Sequence, residues 1–343
     1  MKQRLAAWLL CLACLVAPTL AQGALFSNIF FFGDSLSDSG NNFLVLGGAT
    51  TPVPIANNSF VPTFPYASTH YTNDKVWAQT FAEAYGLTAT PSLLGGNNFA
   101  FGGARTGPPD GFPFSLQDQV SFFLATHGGV ASSDALYVIA GGGNNARDAV
   151  TAIGGGAPPG PTIAATASGF ASDVGTMLAQ LEGAGAEHIV VWTVPDVGKT
   201  PAAVAAGASV VGTLVSGAMN DALENFLVGH PMLAEGVQVF DLFGLLQAVT
   251  APGASVFANV TDACARFVVS ATNLGTCDPA EFLFWDGIHP TSGGHALIAS
   301  AMIDLIPEPS ALALVLVAVA AAALAYRRRA PGLSASRRSR TSR

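Results

Sequence analysis

Residues 30–41 read FFFGDSLSDSGN and carry an apolar run straight into a turn rich in serine and aspartate. The phenylalanines predict a short buried strand, and Gly33 predicts the turn that ends it. Sites in parallel sheets form at the carboxyl ends of strands, which is where Ser35 would stand. A serine is a poor nucleophile unless a base accepts its proton and a third group orients that base. If Ser35 is a nucleophile, a histidine and a carboxylate from elsewhere in the chain must therefore lie beside it.

Asp286 and His289 supply these two groups, far along the chain from Ser35. They stand three residues apart in the sequence DGIH, so one local turn can present both side chains to the serine. Each feature alone has an ordinary interpretation, as a turn after a strand or as a surface or capping group. Together the three side chains predict a serine hydrolase, with His289 as the base and Asp286 as the group that orients it.

Strand-like and helix-like patterns alternate between the two ends of the chain. Strand signals lie at 29–32, 98–101, 135–140, 188–194 and 237–240. Helical patterns cover 76–85, 116–126, 163–181, 202–228 and 293–305. This alternation predicts an α/β fold, a three-layer α/β/α sandwich around a central parallel sheet. The segments 47–66 and 154–162 are rich in Gly, Pro and Asn and are predicted to be loops.

Several other enzyme classes lack their signatures here. The sequence has no Gly-x-Ser-x-Gly elbow, which argues against the α/β-hydrolase fold. A P-loop and a dinucleotide fingerprint in the right context are also missing. No cofactor and no metal are expected, because His and Cys do not cluster with zinc spacing. Asp34 and Asp38 are expected to support the turn through hydrogen bonds. His295 is expected either on the surface of the last helix or behind the catalytic residues as a supporting residue, rather than as the base.

The stretch around Ser35 resembles the first block of the GDSL, or SGNH, hydrolase family, and three further blocks follow in the expected order. Gly103 in NFAFGGA matches the glycine of the second block, and Asn144 in GGNN matches the asparagine of the third. Asp286 and His289 match the fourth. The resemblance implies a flavodoxin-like SGNH hydrolase fold, with Ser35 as the nucleophile.

The same resemblance implies an oxyanion hole formed by the backbone N–H groups of Ser35 and Gly103 and by the side-chain amide of Asn144. Fixed donors of this kind stabilise the charge of a tetrahedral intermediate. Gly102 is the alternative donor, because the choice between the two glycines depends on spacing alone. The third block usually reads Gly-x-Asn-Asp, and Asn145 replaces that aspartate, which bears on loop geometry more than on chemistry.

Residues 1–21 have the layout of a secretory signal peptide, with two basic residues, an apolar run and a small-residue end. The body is therefore expected outside the cytoplasm. Cys14 could also mark a lipoprotein anchor, although Cys11 stands where such a signal wants leucine. An oxidising compartment permits a disulfide between Cys264 and Cys277, and two free thiols are the alternative.

The C-terminal region combines Pro-Glu-Pro at 307–309, an uncharged run at 311–326 and three arginines at 327–329. This pattern resembles the PEP-CTERM sorting signal, which implies membrane retention and processing by an exosortase; a simple membrane anchor is the alternative.

The chain thus divides into four predicted parts. These are a signal peptide at 1–21, one SGNH hydrolase domain at 22–305, a sorting or anchor segment at 306–329 and a basic cytoplasmic tail at 330–343.

The charge of the body disfavours nucleic acid as a partner. Two of the fourteen Lys and Arg residues lie in the signal peptide and seven follow Tyr326, so residues 22–326 contain five of them against twenty-two acidic residues. Binding to phosphates needs clustered positive charge, which a formal charge of about −17 does not offer.

The sequence therefore predicts an exported lipase, esterase or phospholipase that cleaves carboxylic esters through an acyl-enzyme. A deacetylase of exopolysaccharide and a non-catalytic envelope protein of the same fold are the alternatives. Eight large apolar residues are candidates for the acyl site, although packing in the core or in loops is the more common role of such residues: Phe43, Leu44, Phe60, Phe64, Phe112, Phe114, Phe122 and Phe123.

Overall fold

A parallel sheet organises the part of the chain that the computed structural model describes, residues 25–47, 58–108, 111–265, 277–306 and the single residue 319. Residues 26–305 form one compact unit. The predicted signal peptide and basic tail lie outside the described residues. Of the predicted sorting segment, only Ile306 and Val319 are described.

The main sheet has four strands among the described residues, in the order β1 to β4. They are β1 (Ile29–Gly33), β2 (Leu136–Ala140), β3 (His188–Trp192) and β4 (Val237–Phe240). A separate parallel pair consists of β5 (Asn259–Ala263) and β6 (Phe282–Phe284). Every residue of β1 and β2 is buried, as expected for parallel strands with both faces covered.

Nine helices surround these strands in the described parts of the chain. They are α1 (Asn41–Leu46), α2 (Trp77–Ala84), α3 (Leu116–Thr126), α4 (Gly143–Gly154), α5 (Pro159–Gly183), α6 (Pro201–Ala205), α7 (Ser209–Gly229), α8 (Leu242–Val249) and α9 (Ser292–Leu305). Short 3₁₀ helices lie at Ser92–Leu94, Val197–Lys199 and Pro279–Glu281. None of the described helices combines the length and the hydropathy needed to cross a bilayer.

The predicted strand at 98–101 is not a strand of the sheet but an extended segment that runs along the free edge of β1. Asn98 forms an isolated parallel bridge with Phe31. The Phe99 amide donates to the Phe31 carbonyl at 2.8 Å, and the Phe101 amide donates to the Gly33 carbonyl at 3.2 Å. With this segment the spatial order becomes 2-1-3-4-5 in chain order, which is the flavodoxin-like arrangement. The predicted α/β/α fold is confirmed.

Alternating side chains of β1 show how the sheet is covered on both faces. Phe30 and Phe32 face the larger core, where Phe30 and Phe123 of α3 lie 4.7 Å apart between ring centroids. Phe31 faces the opposite way and meets Trp77 of α2 edge-on at 5.4 Å. The phenylalanine run is therefore a strand that contacts both helical layers.

The helices α1, α4 and α8 lie where the sequence predicted none, and two predicted segments differ in the structure. The predicted helix at 202–228 is divided into α6 and α7, because Gly207 takes a φ of +66° that ends the first helix. Most of the predicted loop at 154–162 is helical, since Pro159 is well accepted in the first turn of α5. The other predicted loop is described only from residue 58 onward, where it is irregular.

A disulfide joins Cys264 and Cys277, with 5.5 Å between their Cα atoms. Cys264 is fully buried in a small apolar cluster with Tyr66, Ala265 and Trp285. This cluster lies beside the segment that carries Asp286, so the crosslink stabilises the surroundings of the predicted catalytic residues.

We expect the double substitution Cys264→Ala/Cys277→Ala to lower the free energy of unfolding by about 3 kcal/mol, because the crosslink closes a short loop in the unfolded chain. Urea unfolding with and without a thiol reductant measures this change. The reductant should destabilise the wild-type protein and leave the variant unaffected. Equal stability of the two oxidised proteins would contradict the expectation.

Candidate active site

Ser35 lies in the turn that directly follows β1. Gly33 is required there, because a Cβ atom at this position would lie 2.7 Å from the carbonyl oxygen of Ala140 on the neighbouring strand. Gln119 of α3 holds the same residue from one side: it accepts from the Gly33 amide at 2.8 Å and donates to the Gly33 carbonyl at 2.9 Å. The end of β1, and with it Ser35, is thus fixed by packing and by hydrogen bonds.

The structure brings Ser35, His289 and Asp286 into one hydrogen-bonded chain. The Oγ atom of Ser35 lies 2.8 Å from Nε2 of His289, and Nδ1 of His289 lies 2.7 Å from Oδ2 of Asp286. Only 7%, 2% and 0% of these three residues is exposed. Since an ionised carboxylate only accepts, Nδ1 carries the proton and Nε2 can accept from the serine. This arrangement can take a proton from Ser35 as the oxygen attacks.

Tyr66 is a fourth member of this chain that the sequence did not reveal. Its hydroxyl donates to Oδ2 of Asp286 at 2.8 Å. The backbone amides of Ile288 and His289 donate to the other carboxylate oxygen, each at 2.8 Å. Burial, and then the charge of Asp286, raises the pKa of Tyr66, so the phenol stays protonated and keeps donating. An isolated tyrosine in a long irregular segment carries no sequence pattern that could have identified this role.

In the second predicted block, the backbone amide without an acceptor among the described residues is that of Gly103 rather than that of Gly102. Gly102 donates its N–H to Oδ2 of Asp38 at 3.0 Å, whereas no described residue accepts from Gly103. The Gly102 carbonyl accepts from the side-chain amide of Asn42 at 2.9 Å. Because a trans peptide points its C=O and N–H in opposite directions, this bond orients the Gly103 N–H away from Asn42. Gly103 has a φ of +83°, a conformation that favours glycine.

Asn144 lies in the first turn of α4. One N–H of its side chain donates to the Ala104 carbonyl at 2.9 Å, which leaves the second N–H available to a ligand. Its amide oxygen accepts from the guanidinium of Arg147 at 3.3 Å. Asn145, which departs from the family pattern, accepts from the Thr106 amide at 3.1 Å. The substitution therefore keeps an acceptor that joins the second block to the third.

Asp38 supports the turn after Ser35, as predicted. Its carboxylate accepts from the backbone amides of Gly40, Asn41, Asn42 and Gly102 at 2.7–3.2 Å. Burial raises the pKa of Asp38 to about 6, and these hydrogen bonds oppose the rise. The side chain thus joins the first block to the second.

Asp34 lies next to the nucleophile and lines the cleft described below. Its carboxylate accepts from the Leu36 amide at 3.0 Å. Burial raises the pKa of Asp34 to about 6, against the lowering effects of that hydrogen bond and of nearby His289 and Arg147. Part of the negative charge beside Ser35 is therefore lost below about pH 6.

Of the two places predicted for His295, the surface of the last helix is wrong, because the residue is buried. This residue is 1% exposed, and its Nδ1 lies 3.3 Å from the backbone amide of Trp77. Burial, and then the charges of His289 and His70, lowers the pKa of His295 to about 3, so its ring is neutral at ordinary pH. The face of α9 that packs against α2 explains its position. Among the described residues, no three His, Cys, Asp or Glu side chains are grouped to hold a metal ion.

An apolar cleft lies beside Ser35 and His289, which form part of its lining. Asn144 and Arg147 form part of its polar side. Its apolar walls include Leu242, Leu245, Leu246 and Val249 of α8 and Leu297 and Ile298 of α9. The serine thus faces an apolar surface built mainly from two helices.

The eight apolar residues proposed from the sequence do not line this cleft. Phe112 and Phe114 pack edge-on against Phe101, with ring centroids 6.3 and 5.1 Å away. Phe123 is buried in the main core, and Phe60 packs on the cluster around the disulfide. These aromatic rings contact one another and the core, whereas the walls of the cleft include the leucines of α8.

Comparison with known proteins gives a consistent picture. The sequence profile of the family described as GDSL-like Lipase/Acylhydrolase matches residues 29–302. Lipase 1 of Photorhabdus luminescens is 34% identical over 176 residues, 51% of this chain and 23% of that protein. Esterase EstA of Pseudomonas aeruginosa is 29% identical over 336 residues, 87% of this chain and 50% of that protein. The chain spans half or less of the length of these curated relatives.

A solved structure with a similar backbone is that of Est24, a carbohydrate acetylesterase from Sinorhizobium meliloti. It has 14% sequence identity and a TM-score of 0.40, over 81% of this chain and 96% of that one.

We expect Tyr66→Phe to reduce kcat about tenfold, which corresponds to a loss of about 1.4 kcal/mol in the transition state. The substitution removes one donor from the buried carboxylate of Asp286 and leaves the ring in place. Hydrolysis of p-nitrophenyl butyrate measures the change. Tyr137→Phe is the matched control, because this tyrosine is also buried and its hydroxyl bonds to the Ser132 carbonyl rather than to Asp286. Equal rates for both variants would contradict a role for Tyr66.

Asp34→Asn should flatten the dependence of stability on pH. The pKa of Asp34 is raised from 3.8 to about 6, so an unfolded chain releases this proton first as pH rises. The stabilisation is present below about pH 4 and is lost as pH rises through 6, a change of about 3 kcal/mol. Urea unfolding between pH 4 and 7.5 should show a smaller decrease for the variant, with a remainder from Asp38. An equal decrease in the free energy of unfolding for the wild type and the variant over this pH range would contradict the raised pKa of Asp34.

Proposed function

The chain belongs to the GDSL-like lipase/acylhydrolase family, and from this premise we propose that it hydrolyses carboxylic esters through a covalent acyl-enzyme. One observation carries the proposal. Ser35 lies 2.8 Å from His289, and His289 lies 2.7 Å from a buried carboxylate, as nucleophilic catalysis by serine requires.

The reaction proceeds in two proton-balanced halves. Ser35 Oγ attacks the ester carbonyl while Nε2 of His289 takes its proton, and Asp286 stabilises the imidazolium that forms. The tetrahedral oxyanion is stabilised by the amides of Ser35 and Gly103 and by the free N–H of Asn144. His289 then protonates the leaving alcohol, and the carbon–oxygen bond of the ester breaks. Water repeats these steps on the acyl-enzyme and releases the carboxylic acid.

The substrate we propose is an ester of a medium or long acyl chain. The leucine walls of the cleft adjoin the serine and offer apolar contact to methylene groups, each of which contributes about 0.8 kcal/mol when buried. An acetyl group would leave most of this surface uncovered. Lipids and other acyl esters therefore suit the cleft better than an acetylated polysaccharide.

We further propose that the protein acts outside the cytoplasm. The leader-like sequence and the PEP-CTERM-like pattern support export, retention at the membrane and processing by an exosortase-type partner. The disulfide between Cys264 and Cys277 agrees with an oxidising compartment. Fractionation of cells that produce the full chain, with and without residues 306–343, tests this placement.

Hydrolysis of p-nitrophenyl acetate, butyrate and octanoate tests the catalytic proposal. We expect kcat/KM to rise with chain length, and Ser35→Ala to remove activity on all three esters. A folded Ser35→Ala variant that keeps full activity would contradict the nucleophile. Activity confined to the acetate would favour deacetylation instead, and a folded protein without turnover would favour a non-catalytic role.

The variant Leu246→Trp tests the acyl site within the same series. A larger side chain should fill the cleft, so that activity on octanoate falls about tenfold or more while activity on acetate stays near that of the wild type. Leu214→Trp is the control, because this leucine is exposed on α7 and does not line the cleft. An equal decrease on both esters would point to misfolding rather than to a blocked acyl site.

A further inference from the structure

An ion pair joins the loop after residue 102 to helix α4. Arg105 donates from Nε to Oδ2 of Asp148 at 2.7 Å and from Nη2 to Oδ1 at 2.9 Å. Such a bidentate pair fixes direction as well as distance. The Nη1 atom of Arg105 donates to the carbonyl oxygen of Gly103 at 3.0 Å. The guanidinium of Arg105 therefore binds both Gly103, whose amide is one candidate oxyanion donor, and helix α4, which carries Asn144, another candidate donor.

Two further bonds connect the same segments. The Asn144 side chain donates to the Ala104 carbonyl, and Asn145 accepts from the Thr106 amide. Both bonds also fall between residues 103–106 and the first turn of α4. The Arg105–Asp148 pair lies one turn further along that helix, since Asp148 follows Asn144 by four residues. The Arg105–Asp148 pair thus adds a second attachment between residues 103–106 and α4, which limits rotation of this loop about the hydrogen bonds made by Asn144 and Asn145.

We propose that Arg105 and Asp148 are positioning residues that keep the Gly103 amide and the Asn144 side chain aimed at one oxygen. The inference rests on the proposed ester hydrolysis, in which those two groups stabilise the oxyanion. Neither member of the pair lines the cleft, so both act through the residues they hold. Small errors of aim matter because a fixed donor works only at hydrogen-bonding distance from the developing charge.

The chain offers a matched comparison in a second exposed ion pair. Lys75 and Glu83 lie 2.7 Å apart with side chains 51% and 50% exposed, against 50% and 55% for Arg105 and Asp148. Exposed pairs contribute little to stability in general. The two pairs therefore have the same N···O distance and similar exposure, but only the Arg105–Asp148 pair is also bonded to Gly103.

The experiment compares Arg105→Gln, Arg105→Lys, Asp148→Asn and the double variant Arg105→Gln/Asp148→Asn in the full protein. We expect Arg105→Gln to lower kcat for p-nitrophenyl butyrate about tenfold with KM within about twofold of wild type, less than the 10²–10³ lost with a whole donor. Arg105→Lys should have a kcat between those of Arg105→Gln and the wild type, because lysine keeps the charge but lacks the planar guanidinium that binds both carboxylate oxygens. The double variant should lose no more than Arg105→Gln alone.

Two readouts separate positioning from a merely structural role. Inhibition by a boronic acid, which forms a tetrahedral adduct on the serine, should weaken by the same factor as kcat. Amide hydrogen exchange in residues 101–108 should speed up in Arg105→Gln and stay unchanged in Lys75→Gln. Lys75→Gln should also keep wild-type kcat.

Unchanged kcat and exchange in Arg105→Gln would overturn the inference, as would losses of equal size in Lys75→Gln. Losses in Arg105→Gln that follow its melting temperature alone, with boronate affinity intact, would overturn it too. If the wild type shows no Ser35-dependent turnover, the proposed function fails, and the exchange comparison still decides whether the pair holds the loop.

Discussion

The carboxylate of Asp286 is the constraint around which the site is built. A buried charge is costly unless donors surround it, and this one is satisfied by two backbone amides, by His289 and by Tyr66. The short turn after Asp286 supplies the amides, which fixes the imidazole beside the carboxylate. Tyr66 donates to Oδ2 of Asp286, the oxygen that His289 also contacts. It comes from a distant segment that packs on Trp285 and on Cys264, the buried end of the disulfide. The base is therefore held by its own turn and by a separate cluster.

The sheet decides where the other participants stand. Ser35, Gly103 and Asn144 follow β1, the extended edge segment and β2, three neighbours at the switch point of the flavodoxin-like order. Their loops meet because the strands are parallel and end on the same side. Asp38 binds the first loop to the second, and contacts from α4 bind the second to the third. The cleft walls include residues of α8 and α9, which lie later in the chain, so much of the apolar wall and the candidate oxyanion donors come from separate parts of the fold.

The sequence predicted the α/β/α architecture and grouped the residues that the structure brings together, because short motifs at strand ends encode both. Tyr66 escaped prediction, since its role depends on a contact across 220 residues. None of the eight acyl-site candidates lines the cleft, because aromatic content does not show which rings pack on each other, and α8 was not predicted at all. The division of 202–228 by Gly207 shows that a continuous apolar pattern can hide a left-handed residue. The places of Tyr66 and of the aromatic candidates depend on long-range packing, whereas the division at Gly207 depends on the local conformation of one residue.

The hydrogen bond between Ser35 and His289 joins residues 254 positions apart. Because a chain is synthesised from its amino end, β1 and its serine leave the ribosome well before the histidine that activates them. The nucleophile therefore remains without its base until the final segment of the domain has been made and docked. A product that ends between residues 145 and 288 would contain Ser35, Gly103 and Asn144 and still lack His289. The complete hydrogen-bonded chain of Ser35, His289 and Asp286 therefore forms only after nearly the whole domain has been synthesised.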